Sequence, residues 1–117
     1  MEYKKGLHIV CDLEDASEDA LCNMDGFKTL VEGLILKHQL QSTGSVYHHF
    51  ELKGYTAVVG LTESHLSVHT WPEFGRVTYD IFLSNFLQVN DSVCEHISKE
   101  IQTFFGGKVS QIHKLSR

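Results

Sequence analysis

YTAVVGLTESHLSVHTWPEFGRVTYDIFL, residues 55–83, carries three strand-like patterns in a row. YTAVVGL reads as a strand, SHLSVHTW alternates apolar with polar residues, WPEFG supplies turn chemistry, and RVTYDIFL resumes as a strand. Short turns between consecutive strands imply antiparallel pairing. Upstream, GLHIVCDL (6–13) also alternates. SVYHHFEL (45–52) reads as a strand that turns into YTAVVGL through Lys53-Gly54. MDGFKTLVEGLILKHQL (24–40) sets Phe27, Leu30, Val31 and Leu34 on one helical face. SVCEHISKEIQTFF (92–105) does the same with Val93, Ile97, Ile101 and Phe104. Asn90 or Asp91 is the expected cap, Gly106-Gly107 the stop, and KVSQIHKL (108–115) a last strand. The order β-α-β-β-β-β-α-β predicts an α+β fold: a two-layer sandwich of an antiparallel sheet with two helices on one face. Pairing with another subunit would cover the other face.

The 117 residues fit one domain with one modest core, residues 1–117, and favour a site shared between subunits over a deep private pocket. Net charge is −5 and no basic patch is visible, so nucleic acid is not the expected partner. The acid balance suits a cationic ligand. MEYKKGLHIVCDLED lacks the apolar core of a signal peptide, and no run approaches the ~20 residues of a membrane span. Cys11, Cys22 and Cys94 are odd in number and widely spaced, as reduced cytoplasmic thiols would be.

Leu61–Gly75 concentrates Glu63, Ser64, His65, Ser67, His69 and Glu73. Eight histidines invite a metal, with His48/His49 adjacent and His65/His69 four apart. Adjacent strand residues point to opposite faces and no cysteine pair has zinc spacing, so no metal site is expected. Ser64 lies outside a G-x-S-x-G elbow, and Asp80 with His69 makes only a loose hydrolase triad. No Gly-rich phosphate loop is present. A serine can instead attack the carbonyl before it, turn amide into ester, and eliminate to leave a pyruvoyl group. That chemistry needs a strained turn, a base and oxyanion donors. Glu63-Ser64 supplies the bond, and His65 or His69 the base.

ESHLSVHTWPEFG followed by DIF closely resembles the short prokaryotic class of S-adenosylmethionine decarboxylase proenzymes, with HIVCDL, VYHHFE and the chain length matching more loosely. The resemblance implies autocatalytic cleavage of a zymogen at Glu63-Ser64 into residues 1–63 (β chain) and 64–117 (α chain). It implies a self-derived pyruvoyl group at Ser64 that forms a Schiff base with S-adenosyl-L-methionine. The carboxy-lyase product would serve as aminopropyl donor for spermidine, in polyamine biosynthesis. His69 falls at the family position that assists processing. Phe50 falls at one that stacks on substrate, and Glu63 and His65 flank the bond as substrate-binding candidates. Tyr47 and Phe74 are read as core aromatics. Two protomers are expected to assemble, as a homodimer or higher oligomer. Ser84 stands where the family has its proton-donor cysteine, and a hydroxyl is a far poorer acid than a thiol.

That departure keeps two other readings open. One is a pyruvoyl-dependent decarboxylase of arginine or ornithine, with Asp12 or Glu14 holding the distal cation. The other is a non-catalytic regulatory paralogue. For Ser64 and His69 to meet, the strand between them must bend or bulge, because residues five apart face opposite sides.

Overall fold

The computed structural model describes residues 2–51 and 53–117. Six strands form one antiparallel sheet: β1 (Leu7–Glu14), β2 (Ser42–His49), β3 (Tyr55–Leu61), β4 (Ser64–Trp71), β5 (Arg76–Leu83) and β6 (Lys108–Ser116). Their order across the sheet is β2-β3-β4-β5-β1-β6. β2 to β5 form a meander, and β1 lies between β5 and the C-terminal strand. α1 (Glu18–Cys22), α2 (Met24–Lys37) and α3 (Asp91–Phe105) cover one face.

Alternation decides which side chains go where. Ile9, Cys11 and Leu13 of β1, Tyr55, Ala57, Val59 and Leu61 of β3, and Leu66 and Val68 of β4 point into one core. Val77, Tyr79, Ile81 and Leu83 of β5 join them. Phe27, Val31 and Leu34 of α2 and Cys94, Ile97, Ile101 and Phe105 of α3 close it from above. The opposite face carries His8, His65, Ser67, His69, Asp80 and Phe82.

Several local expectations are corrected. α1 was not foreseen; it is a single capped turn, with the Ser17 hydroxyl accepting from the Ala20 N–H. α2 ends at Lys37 rather than residue 40. β2 runs Ser42–His49, three residues earlier than expected, and Leu52 lies outside the described residues. The turn after β2 is closed by Phe50 N–H on the Gly54 carbonyl, so it is wider than the two residues Lys53-Gly54. α3 buries Cys94, Ile97, Ser98, Ile101 and Phe105. Its inward face is therefore rotated from the expected one, leaving Val93 and Phe104 only partly buried, because Ser98 is drawn in by the Tyr79 hydroxyl. Tyr47 packs partly against the core, but Phe74 is 73% exposed on the turn before β5. Gly75 closes that turn at φ 61, a conformation that costs glycine little.

Candidate active site

The Glu63-Ser64 bond lies where β3 turns into β4, joined only by Thr62 and Glu63. So tight a connection usually places glycine at positive φ. Here the positive φ falls on a non-glycine, Ser64, at 141°. An L-residue there is sterically strained. The surroundings hold it. The carbonyl of Glu63, the one a Ser64 hydroxyl would attack, accepts a hydrogen bond from the Ser84 N–H at 2.8 Å. The Glu63 side chain is 6% exposed. Its carboxylate accepts from Asn90 Nδ2 at 3.0 Å and Gln88 Nε2 at 3.4 Å. Asn90 Nδ2 also donates to the Ser84 carbonyl at 2.8 Å. Asn90 precedes α3 without capping it by its side chain; that amide is spent on the Glu63-Ser64 turn.

On the open face the Ser64 hydroxyl lies 3.2 Å from His65 Nδ1. His65 Nε2 lies 3.0 Å from Asp80 Oδ2, and His8 Nε2 lies 2.7 Å from the same oxygen. Register explains the convergence. Phe82 sits opposite both His65 and His8, while Asp80, two residues before it, sits opposite Ser67. The two imidazoles flank the Phe82 ring and lean along their strands to share one carboxylate. Ser67 donates to the other oxygen. Burial alone would push the Asp80 carboxyl up. Hydrogen bonds from Ser67, His8 and His65 outweigh that and hold it below the ordinary carboxylate value. Asp80 is thus the anion of the group. Arg117 Nη1 lies 3.2 Å from His8 Nδ1.

His8, His65 and Asp80 are a group whose ligand atoms converge within 4.8 Å, among the described residues. A cation there would need both Nε2 lone pairs. Arg117 has only donors to offer His8 Nδ1, which leaves the His8 proton on Nε2, facing Asp80.

His69 is elsewhere. It sits five residues along β4, about 16 Å by strand rise, and its Nδ1 pairs with the Thr56 hydroxyl at 3.0 Å. Within one protomer the chain does not bend enough to bring it to Ser64. The acid partnered with a histidine beside Ser64 is Asp80, but the histidine is His65; the loose pairing of Asp80 with His69 does not occur. His69 instead lines an open cleft of ≈ 1010 Å³ with His48, Phe50, Trp71 and Glu73. Phe50 stacks edge-on to His48 at 4.7 Å and is 46% exposed into solvent.

Asp12 and Glu14 are not free for a substrate cation. Arg76 pairs with Asp12 at 3.0 Å and Glu14 at 3.4 Å. Sequence reasoning gave Asp80 and Asn90 other places, Asp80 beside His69 and Asn90 as a helix cap, and did not bring either to Ser64. Alternation in RVTYDIFL does put Asp80 on the open face, but Asn90 reads only as a helix cap. Cys11, Cys22 and Cys94 are free thiols. No helix among the described residues is long and apolar enough to cross a membrane.

A family model described as S-adenosylmethionine decarboxylase matches residues 7–117. The chain is similar to the S-adenosylmethionine decarboxylase proenzyme of Archaeoglobus fulgidus, 40% identical over 77 residues, covering 66% of this chain and 69% of that one. It is 32% identical over 102 residues to the proenzyme of the same name from Thermoplasma volcanium, covering 87% and 78%. The crystal structure of the adenosylmethionine decarboxylase from Aquifex aeolicus VF5 superposes with a TM-score of 0.78 at 30% identity, covering 99% of this chain and 91% of that one.

Proposed function

The chain belongs to the S-adenosylmethionine decarboxylase family, and from that premise we propose that it cleaves itself at Glu63-Ser64 and then decarboxylates S-adenosylmethionine. It is a carboxy-lyase whose product is an aminopropyl donor for spermidine synthesis. The observation that carries the self-cleavage is the scissile turn: a serine at φ 141°, with the carbonyl before it held by the Ser84 N–H. The donor polarises that carbonyl and stabilises the oxyanion formed when the Ser64 oxygen adds. Collapse breaks the C–N bond and leaves an ester. Loss of the Ser64 α-proton then expels the Glu63 carboxylate, and water replaces nitrogen as ammonia to give the pyruvoyl ketone.

The turn fits that group. Conversion removes the nitrogen of residue 64, so the strained φ ceases to exist. The ketone supplies an electrophile for the substrate amine and accepts the electron pair left when CO2 departs. Asn90 and Gln88 keep Glu63 in place as the new C-terminus of residues 1–63. Ser84 occupies the proton-donor position, half-buried beside the bond. The cleft holding His69, Phe50 and Trp71 offers aromatic faces and the carboxylate of Glu73 to a sulfonium nucleoside. In one protomer that cleft lies at the far end of β4 from Ser64. A second copy, packed on the open sheet face, brings its cleft and its His69 to this Ser64. Exposed Val46 on the edge strand β2 and Val58 opposite it on β3 give that face apolar area to bury.

Intact-mass measurement of purified protein tests the first half. Fragments 1–63 and 64–117 are expected, the second blocked at its N-terminus. Carboxyl-labelled S-adenosylmethionine should then release labelled CO2. Release from arginine or ornithine instead establishes the basic amino acid reading. A single uncleaved species establishes a regulatory paralogue.

A further inference from the structure

We propose that His65, backed by Asp80, is a binding site for a ligand the chain makes itself: the α-carboxylate that self-cleavage leaves on Glu63. The inference rests on the self-cleavage proposed above. It concerns what the cut leaves behind, so the processing position that the family resemblance gives His69 is untouched.

The atoms decide it. Addition of the Ser64 oxygen to the Glu63 carbonyl carbon, with loss of the nitrogen, gives an ester. Elimination then breaks the bond between Cβ and Oγ of residue 64, so the serine oxygen stays with Glu63. The new carboxylate has one oxygen from the Glu63 carbonyl and one from the Ser64 hydroxyl. Both face a partner already in the uncut chain. The carbonyl oxygen accepts from the Ser84 N–H at 2.8 Å. The hydroxyl oxygen lies 3.2 Å from His65 Nδ1. The Glu63 side chain is held separately, by Asn90 and Gln88.

A carboxylate only accepts hydrogen bonds, so Nδ1 has to carry a proton to hold it. Nε2 faces Asp80, which keeps a proton there as well. With both ring nitrogens protonated, His65 is an imidazolium between two carboxylates, with a charge-assisted bond on each side. The uncut chain offers Nδ1 a neutral hydroxyl instead. The groups facing His65 are Ser64 and Ser67 on its own strand, Asp80 and Phe82 on β5 and His8 on β1, with Arg117 behind His8. Of these only Asp80 is an acid, and the cut adds a second. Protons balance: the elimination frees one as the carboxylate forms, and Nδ1 takes up one from solvent.

The first test needs no change at His65. NMR of the imidazole nitrogens, with His65 assigned through its contact with the Phe82 ring, compares the cut protein with the uncleavable Ser64→Ala chain near neutral pH. The cut protein should show the larger fraction of imidazolium at His65. The second test is removal of Glu63 from fragment 1–63 by a carboxypeptidase, followed by mass. Such an enzyme has to grip the free α-carboxylate, which His65 and the Ser84 N–H occupy. His65→Gln should speed the removal about tenfold, the low end for a bond to a charged group, because the His65 side chain is 39% exposed. The ratio of variant to wild-type rate should fall toward one as pH rises beyond the imidazole range, where Nδ1 gives up its proton. If His65→Gln does not fold or does not cut, the ring comparison decides. The same ring protonation in cut and uncut protein, or equal trimming of wild type and His65→Gln, overturns the inference and leaves the self-cleavage standing. A wild-type chain that stays whole overturns both.

Discussion

Strain at Ser64 is measurable without any cleavage. Ser64→Ala and Ser64→Gly both lack the attacking hydroxyl, so each stays an intact chain. They differ in one methyl group on a backbone held at φ 141°. Holding an L-residue in that region costs about 1–3 kcal/mol, while glycine enters it freely. Glycine has its own cost, about 0.5–1 kcal/mol relative to alanine, from the wider freedom of its unfolded chain. The difference leaves the glycine variant more stable by about 1 kcal/mol. That reverses the usual order at a strand position. For a chain of this length it corresponds to about 4 °C in Tm. Urea and thermal unfolding of the two variants side by side measure it. Equal stability, or an alanine variant that is the more stable, would show that residue 64 is relaxed. The fold would then not be pressing on the scissile bond.

Asn90→Ala in a Ser64→Ala chain removes donors from a buried carboxylate and a carbonyl together, so unfolding should show a loss of roughly 3–5 kcal/mol; a loss below 1 would deny that this amide braces the turn. Asp80 has a folded value below its unfolded one, so its contribution is present above the ordinary carboxylate range and lost as pH falls through the lowered value. Asp80→Asn should therefore flatten the acid limb of the stability profile below about pH 4. Burial pushes the Cys94 thiol up to about 12 and raises Cys11 as well. Iodoacetamide at about pH 8 should accordingly label Cys22, which is half-buried, and reach the other two only on unfolding; peptide mapping reads this directly. Ser84→Cys should raise turnover per pyruvoyl group about tenfold or more if residue 84 is the proton donor; an unchanged rate removes that role.

The sheet was legible because β alternation is a strong, local signal. In RVTYDIFL the alternate residues Val77, Tyr79, Ile81 and Leu83 are apolar and buried; in SHLSVHTW Leu66 and Val68 are, with Thr70 buried beside them. The C-terminal helix was legible in extent but not in rotation. Its buried Ser98 scores as polar until the Tyr79 hydroxyl, 19 residues away in sequence, is there to receive it. Phe74 looked like core because its ring is large. Its position on a three-residue 3-10 turn decides otherwise, and the ring is left 73% exposed. The site divides along the same line. Glu63, Ser64 and His65 are consecutive and could be read together. Asp80 and Asn90 reach them only through strand register and a loop, and those contacts span 15 and 27 residues.

That division bears on why the strand carries two histidines. His65 and His69 differ by four positions, so they share the open face, yet strand rise separates them by about 13 Å. One imidazole cannot serve both ends. The imidazole in contact with Ser64 within one chain is His65. Turnover recurs, and needs a cleft large enough for substrate, which lies beside His69. If the cleft that meets a given Ser64 comes from a second copy, turnover waits for assembly. The Ser84 substitution then falls on the recurring reaction alone. The backbone N–H that holds the Glu63 carbonyl is the same in serine and cysteine, so the scissile turn keeps its oxyanion donor whichever side chain residue 84 carries.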